Sequence, residues 1–265
     1  MLQENAATGL LFLIAIALGS PTLLIGTMLG ASVGMLTAKT LKLDDKKLNQ
    51  GLFGYNAALV GMAIFFFFGA NIASALLIIF GSILSSHGLN LFFRYQPSLP
   101  AYTAPFVIST WLMLILAPYL GLSPALNTQA PIQSSFRYFD GVGQVMFQES
   151  AIVSVLFILA LAFHSFRAAI WAMLASALAF FLASGFGFPK ELTQVGLYGY
   201  NAVLVAIVLS AKFKSKVLPT IVGIIISIIL TRGFQLVEIP ALTAPFVLAC
   251  WLMNSAHYRL SIRTA

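Results

Sequence analysis

Charge is the first thing this chain lacks. Only 8% of its 265 residues are charged and only seven are acidic, against about a quarter charged in soluble globular domains. With 60% hydrophobic residues and a mean hydropathy of +0.98, a water-soluble globule is excluded and a single integral membrane domain over residues 1–265 is expected. Cysteine is nearly absent too. The lone Cys250 excludes an internal disulfide or a cysteine metal site and reads as small core filler. His87, His164 and His257 show no metal-ligand spacing, and there is no GxxxxGK[ST] phosphate loop with which to use ATP. No cofactor is expected.

The few charges are informative by position. Asp44, Asp45, Asp140 and Glu191 read as loop residues, and Glu4, Glu149 and Glu238 as span-edge residues. Buried carboxylates mark many proton and sodium pathways, and none falls in mid-span, which favours passive permeation. The basic residues are spread among the loops, so the net charge of +7 speaks for membrane orientation rather than nucleic acid.

Ten apolar runs are expected to be spans. In the first half these are 6–18, 21–38, 51–69, 70–86 and 100–120, and in the second 151–166, 168–186, 196–211, 217–231 and 240–254. If the path alternates sides, one side collects Lys39, Lys42, Lys46, Lys47, Arg94, Arg167, Lys212, Lys214, Lys216, Arg259 and Arg263, and the other only Arg137, Lys190 and Arg232. Eleven cations against three place both termini in the cytoplasm.

The sequence repeats itself. GLFGYNAALV at 51–60 and GLYGYNAVLV at 196–205 agree at eight of ten positions, and PAYTAPFVISTWLM at 100–113 and PALTAPFVLACWLM at 240–253 at ten of fourteen. Each unit, 1–120 and 121–265, holds five spans. An odd number inverts the second unit relative to the first, as in inverted-repeat transporters.

Pro100 and Pro105, and again Pro240 and Pro245, head an apolar run. Proline lacks an N–H and clashes with the preceding turn, so a break or helix start is expected there. Such irregular backbone at membrane depth must face protein or line a cavity. Thr103 and Thr243 lie between the prolines, with hydroxyl oxygens to present to such a path. Tyr55 and Leu59, like Tyr200 and Leu204, are four apart and share one helix face. Asn56 and Asn201 are expected to brace neighbouring backbone, and the glycines of both phrases to admit close helix approach. The glycines of DGVGQ, 140–144, suit a tight re-entrant turn.

These residues resemble the urea transporter family, whose LPxxTxPF signature stands as LPAYTAPF at 99–106 and IPALTAPF at 239–246, ending on Phe106 and Phe246. GVGQVMFQ at 141–148 is similar to the family's short pore helix. The resemblance implies an all-α integral membrane fold of ten transmembrane helices in two inverted repeats, assembled as a homotrimer with one pore per subunit. Urea would pass down its gradient, without catalysis. Gln144 would accept a urea N–H, Phe147, Tyr200 and Leu204 would form one slot, Tyr55 and Leu59 the matching slot, with Thr103 and Thr243 between. A channel for short amides, ammonia or water on the same fold is the alternative. An intramembrane enzyme would need a nucleophile–base pair or metal ligands in the spans, and none is visible.

The 145-residue offset aligns Gln148 with Gln3, Glu149 with Glu4 and Phe147 with Leu2, and leaves Gln144 without a partner. The expectation is that an N-terminal re-entrant segment precedes Met1 in the native chain. The lack of a large soluble extension points to a bacterial cytoplasmic (inner) membrane, with the lipid bilayer and urea as the only partners.

Overall fold

The structure is a computed structural model that describes residues 5–43, 45–96, 99–123, 137–148, 150–214 and 216–263. Every regular element among them is helical. The first half contains α1 (Ala6–Gly19), α2 (Pro21–Thr40), α3 (Asp45–Asn49), α4 (Leu52–Phe68), α5 (Ile72–Tyr95) and α6 (Ala104–Leu116), which runs on as a 3₁₀ turn over Ala117–Leu120. The second half contains α7 (Asp140–Gln144), α8 (Ala151–His164), α9 (Phe166–Gly185), α10 (Lys190–Gln194), α11 (Tyr200–Lys212), α12 (Leu218–Leu236) and α13 (Ala244–Arg263). By length and composition α2, α5, α9 and α12 are able to cross a bilayer, and shorter apolar helices accompany them. The described residues are all-helical, with several apolar helices, as in an integral membrane protein.

Capping explains several helix starts. The Ser20 hydroxyl accepts Leu23 N–H at 3.3 Å ahead of α2, and the Ser165 hydroxyl accepts Ala168 N–H at 3.2 Å ahead of α9. Asn71 and Ser74 form a reciprocal capping box that opens α5, so two otherwise unpaired first-turn donors are met.

Three expectations need correction. α5 runs to Tyr95 and α13 to Arg263, well past the expected ends, because Ser, His, Asn and a lone Gly such as Gly88 are tolerated within a helix and no Pro intervenes. α6 and α11 begin at Ala104 and Tyr200, about a turn later than expected, since the breaks ahead of them are not helical. Asp140 is not a loop residue: it opens α7 and is buried at 4% exposure, carried inside because α7 packs closely against the turn at 196–199.

The chain divides into two compact units, an earlier one of Ile16–Ala130 and a later one of Met1–Ala15 with Pro131–Ala265. In the earlier unit α2, α4 and α5 pack on one another and α6 packs on α4 and α5. The α2–α4 seam is built of small residues. A Cβ on Gly26 would lie 2.6 Å from the Gly61 carbonyl oxygen, and one on Gly30 would lie 2.2 Å from that of Ala57. Only glycine allows backbones this close. In the later unit α9 and α12 pack on α11, and α13 packs on α11 and α12. There α9 buries Ala168, Ala172, Ala175, Ala179 and Ala183. Phe12 of α1 stacks on Phe157 of α8 at 4.8 Å.

Candidate functional site: two braced helix starts

In each unit the PAxTAPF stretch is a bend that launches a helix. Tyr102 has φ +47° and Leu242 φ +45°, both left-handed, a conformation costing about 1–2 kcal/mol for a residue with a Cβ. The backbone then closes the same way twice. Ala104 N–H donates to Ala101 O at 3.0 Å and Ala244 N–H to Ala241 O at 3.0 Å. Pro105 occupies the first turn of α6, where its missing N–H costs nothing.

What secures the bend is the asparagine of the other repeated phrase. Asn56 Nδ2 donates to the Tyr102 carbonyl at 3.3 Å, and Asn56 Oδ1 accepts Phe106 N–H at 3.2 Å. Asn201 Nδ2 donates to the Leu242 carbonyl at 3.2 Å, and Asn201 Oδ1 accepts Phe246 N–H at 3.0 Å. One amide therefore meets both the carbonyl freed by the left-handed residue and an orphan donor of the new helix. Asn201 Nδ2 also donates to Thr231 Oγ1 at 3.3 Å. The bracing role expected of both asparagines holds.

The same phrases carry the other expected residues. Tyr55 and Leu59 lie in α4, and Leu59 is buried; Tyr200 and Leu204 open α11, both buried. Thr103 and Thr243 immediately precede α6 and α13 and are buried. Each unit thus brings its tyrosine helix and its threonine bend together through one asparagine.

The later unit adds α7. A Cβ on Gly141 would meet Gly199 Cα at 2.9 Å, and one on Gly196 would meet Gly141 N at 2.4 Å. Gly196 has φ +79°, so only glycine suits it on both counts. The result is backbone laid on backbone between the start of α7 and the GLYGYN turn; Gln144, at the end of α7, is buried. Beyond Gln144 the chain turns sharply. Phe147 N–H donates to the Gln144 carbonyl at 3.1 Å, Gln148 N–H to the Gly143 carbonyl at 3.1 Å, and Phe147 has φ +52°. Gln3, Glu4 and Leu2, the expected counterparts of this segment, lie outside the described residues, as does Glu149.

Several supporting contacts were not expected from the sequence. Val60 and Met113 both approach Gly81 of α5, and Val205 and Met253 both approach Gly223 of α12. The third residue of each GLxGYN phrase leans on an aromatic ring capped by a cation. Phe53 meets Phe93 edge-on at 6.5 Å, with Lys47 Nζ 3.9 Å above that ring. Tyr198 meets Phe188 at 5.0 Å, with the Arg232 guanidinium 5.2 Å above it. Lysine, arginine and phenylalanine carry no such signal singly.

The sequence profile described as Urea transporter matches residues 1–258. Among known relatives, "Urea transporter 1" of Ovis aries is 25% identical over 282 residues, covering 94% of this chain and 72% of that protein. The proteins of the same name from Mus musculus and Rattus norvegicus are 25% and 26% identical over 288 residues, with the same coverage. The paired braced bends and the whole-length match lead to one conclusion: the chain belongs to the urea transporter family.

Proposed function

We propose that this protein passes urea down its concentration gradient across a lipid bilayer. The observation that carries the reading is the twofold brace: the same asparagine fastens a tyrosine-bearing helix to a threonine-bearing bend in each unit. Irregular backbone inside a membrane protein is tolerated where it is buried in protein or lines a cavity, and its recurrence in both repeats favours a place beside a permeation path. The relatives named urea transporter support the choice of cargo.

Urea is flat and uncharged, with N–H donors along two edges and a carbonyl oxygen. Stripping its water without replacement costs several kcal/mol, on the order of 2–7 per polar group. A slot with apolar walls and acceptors along its rim offsets that cost. In this reading Phe147, Tyr200 and Leu204 wall the later slot and Tyr55 and Leu59 the earlier one. The Gln144 side-chain amide oxygen accepts a urea N–H. Thr103 and Thr243 supply hydroxyls along the path. The Tyr55 hydroxyl is buried and has no partner among the described residues, which suits a group met by a passing polar ligand. Hydrated ions are rejected by their desolvation cost, without a charge filter.

The reading includes ten spans in two inverted five-helix repeats with re-entrant pore helices, both termini in the cytoplasm, a bacterial cytoplasmic membrane, and a homotrimer with one path per subunit. The test is stopped-flow shrinkage and reswelling of proteoliposomes driven by urea. Urea flux well above that of empty liposomes is expected, lost in Gln144→Ala/Thr243→Val. Flux of water alone, or unchanged urea flux in the double variant, would overturn the cargo or the site. Asp140 is a buried carboxylate, so the passive character is tested separately: an imposed pH gradient should leave the urea end point unchanged, and urea accumulation would refute it.

A further inference from the structure

Arg167 and Lys214 stand 47 residues apart, yet an Arg167 Nη2 hydrogen donates to the Lys214 carbonyl at 2.8 Å. This ties the first turn of α9 to the turn between α11 and α12. Beside it Lys212 Nζ donates to Asn254 Oδ1 of α13, and the Phe213 ring meets the His257 ring edge-on at 5.0 Å. Lys216 N–H closes the turn onto the Phe213 carbonyl at 3.0 Å. One end of the later unit therefore gathers Arg167, Lys212, Lys214 and Lys216, all exposed, together with exposed His164 and His257. Residues 161–169, 209–220 and 250–265 contain no Asp or Glu. Charges that look scattered along the sequence form one patch.

The helical arrangement does not itself require this patch. Ser165 caps α9 as Ser20 caps α2, and the corresponding stretches of the earlier unit, 16–24, 66–75 and 112–121, carry no charge at all. Four like charges held at one edge repel one another, and an anion relieves that repulsion. Around them Phe163, Phe166, Val217 and Leu218 are exposed large apolar residues, Phe166 at 70% and Leu218 at 71%. Cations above and apolar side chains beside them match a lipid, whose phosphate and acyl chains meet at that boundary, better than a free anion. The other lysine-rich stretch, 39–47, includes Asp44 and Asp45, which offset its charge.

We propose that this basic end of the later unit binds the headgroup phosphates of anionic phospholipids. Arg167 offers a planar fork suited to phosphate oxygens, and the lysines act as point charges. Each basic residue near an anionic surface contributes roughly a fivefold preference. The proposal rests on the membrane reading and is read out without urea, so it stands or falls apart from the cargo. Native mass spectrometry of the purified full chain is run with phosphatidylglycerol and phosphatidylcholine of equal acyl chains. Retention of phosphatidylglycerol over phosphatidylcholine is expected in the wild type, falling about tenfold or more in Lys214→Gln/Lys216→Gln and kept in Lys39→Gln/Lys42→Gln. The circular dichroism and Tm of the first variant should match those of the wild type, which shows that it folds. Equal retention of the two lipids, an unaltered preference in Lys214→Gln/Lys216→Gln, an equal loss in Lys39→Gln/Lys42→Gln, or displacement of the lipid by inorganic phosphate would each overturn it.

Discussion

Replacing Asn201 by alanine removes three hydrogen bonds at once, to Leu242 O, Phe246 N and Thr231 Oγ1. Thr231 keeps a second bond, its hydroxyl donating to Ser227 O at 2.8 Å, so the loss concentrates on two backbone groups. Phe246 is fully buried and Leu242 nearly so, which limits rescue by water. In a soluble core each stranded group would cost about 1–3 kcal/mol. Within a membrane the unfolded reference also finds partners, and measured bonds average about 0.6 with a maximum near 1.7 kcal/mol. The membrane figure governs here, giving roughly 1–3 kcal/mol for the pair. For a chain this size each kcal/mol lowers Tm by about 2–4 °C, so a fall of about 2–12 °C is expected in detergent. Flux should fall further than stability predicts, because the left-handed Leu242 loses its restraint and Thr243 follows it. Asn201→Asp should recover the bond from Phe246 N–H but leave the Leu242 carbonyl facing an oxygen, giving a partial defect. The measurement pairs thermal unfolding with urea flux at a temperature where the variant is folded. Asn201→Ala with native Tm and native flux would refute the brace, and the same logic applies to Asn56→Ala.

Gly196→Ala should lose urea flux while α9 to α13 stay folded by circular dichroism, because the new methyl meets Gly141 N at 2.4 Å and φ +79° disfavours it; native flux would argue that α7 is not part of the site. Gly30→Leu should destabilise by at least 1–3 kcal/mol, the usual range for overpacking, since even a Cβ lies 2.2 Å from Ala57 O; a native Tm would contradict the α2–α4 seam. Cys250, fully buried on α13, should resist maleimide in the folded protein and react in denaturant, and rapid labelling of the native protein would contradict its burial.

The apolar helices and the two repeated phrases were legible because long apolar runs and paired prolines are strong local signals. The asparagine braces were legible in kind but not in target, since a polar group within an apolar span needs a partner that sequence does not name. Other features left no local trace. Tyr102 and Leu242 adopt left-handed backbone although neither is glycine or asparagine, the residues that announce it. The short helices α3 and α10 stand 145 residues apart, ahead of the two GLxGYN phrases, yet DKKLN and KELTQ share no residue in register. The Gly81 and Gly223 contacts were hidden by drifting register: Val60 to Val205 spans 145 residues, Gly81 to Gly223 142, and Met113 to Met253 140. Asp140 was misread because its helix is too short to show periodicity, and only the glycines it packs against draw it inward.

The seam between Gly141 and the Gly196–Gly199 turn has a mechanical meaning. Backbone lies directly on backbone there, with the Ser176 hydroxyl alongside, so the spacing is set largely by hard atomic contact rather than by long rotamers able to hop or compress. A joint of this sort acts as a fixed shim. If the proposed urea path runs beside this joint, its width there should hardly change with temperature, and the activation enthalpy of urea flux should report the dehydration of the cargo.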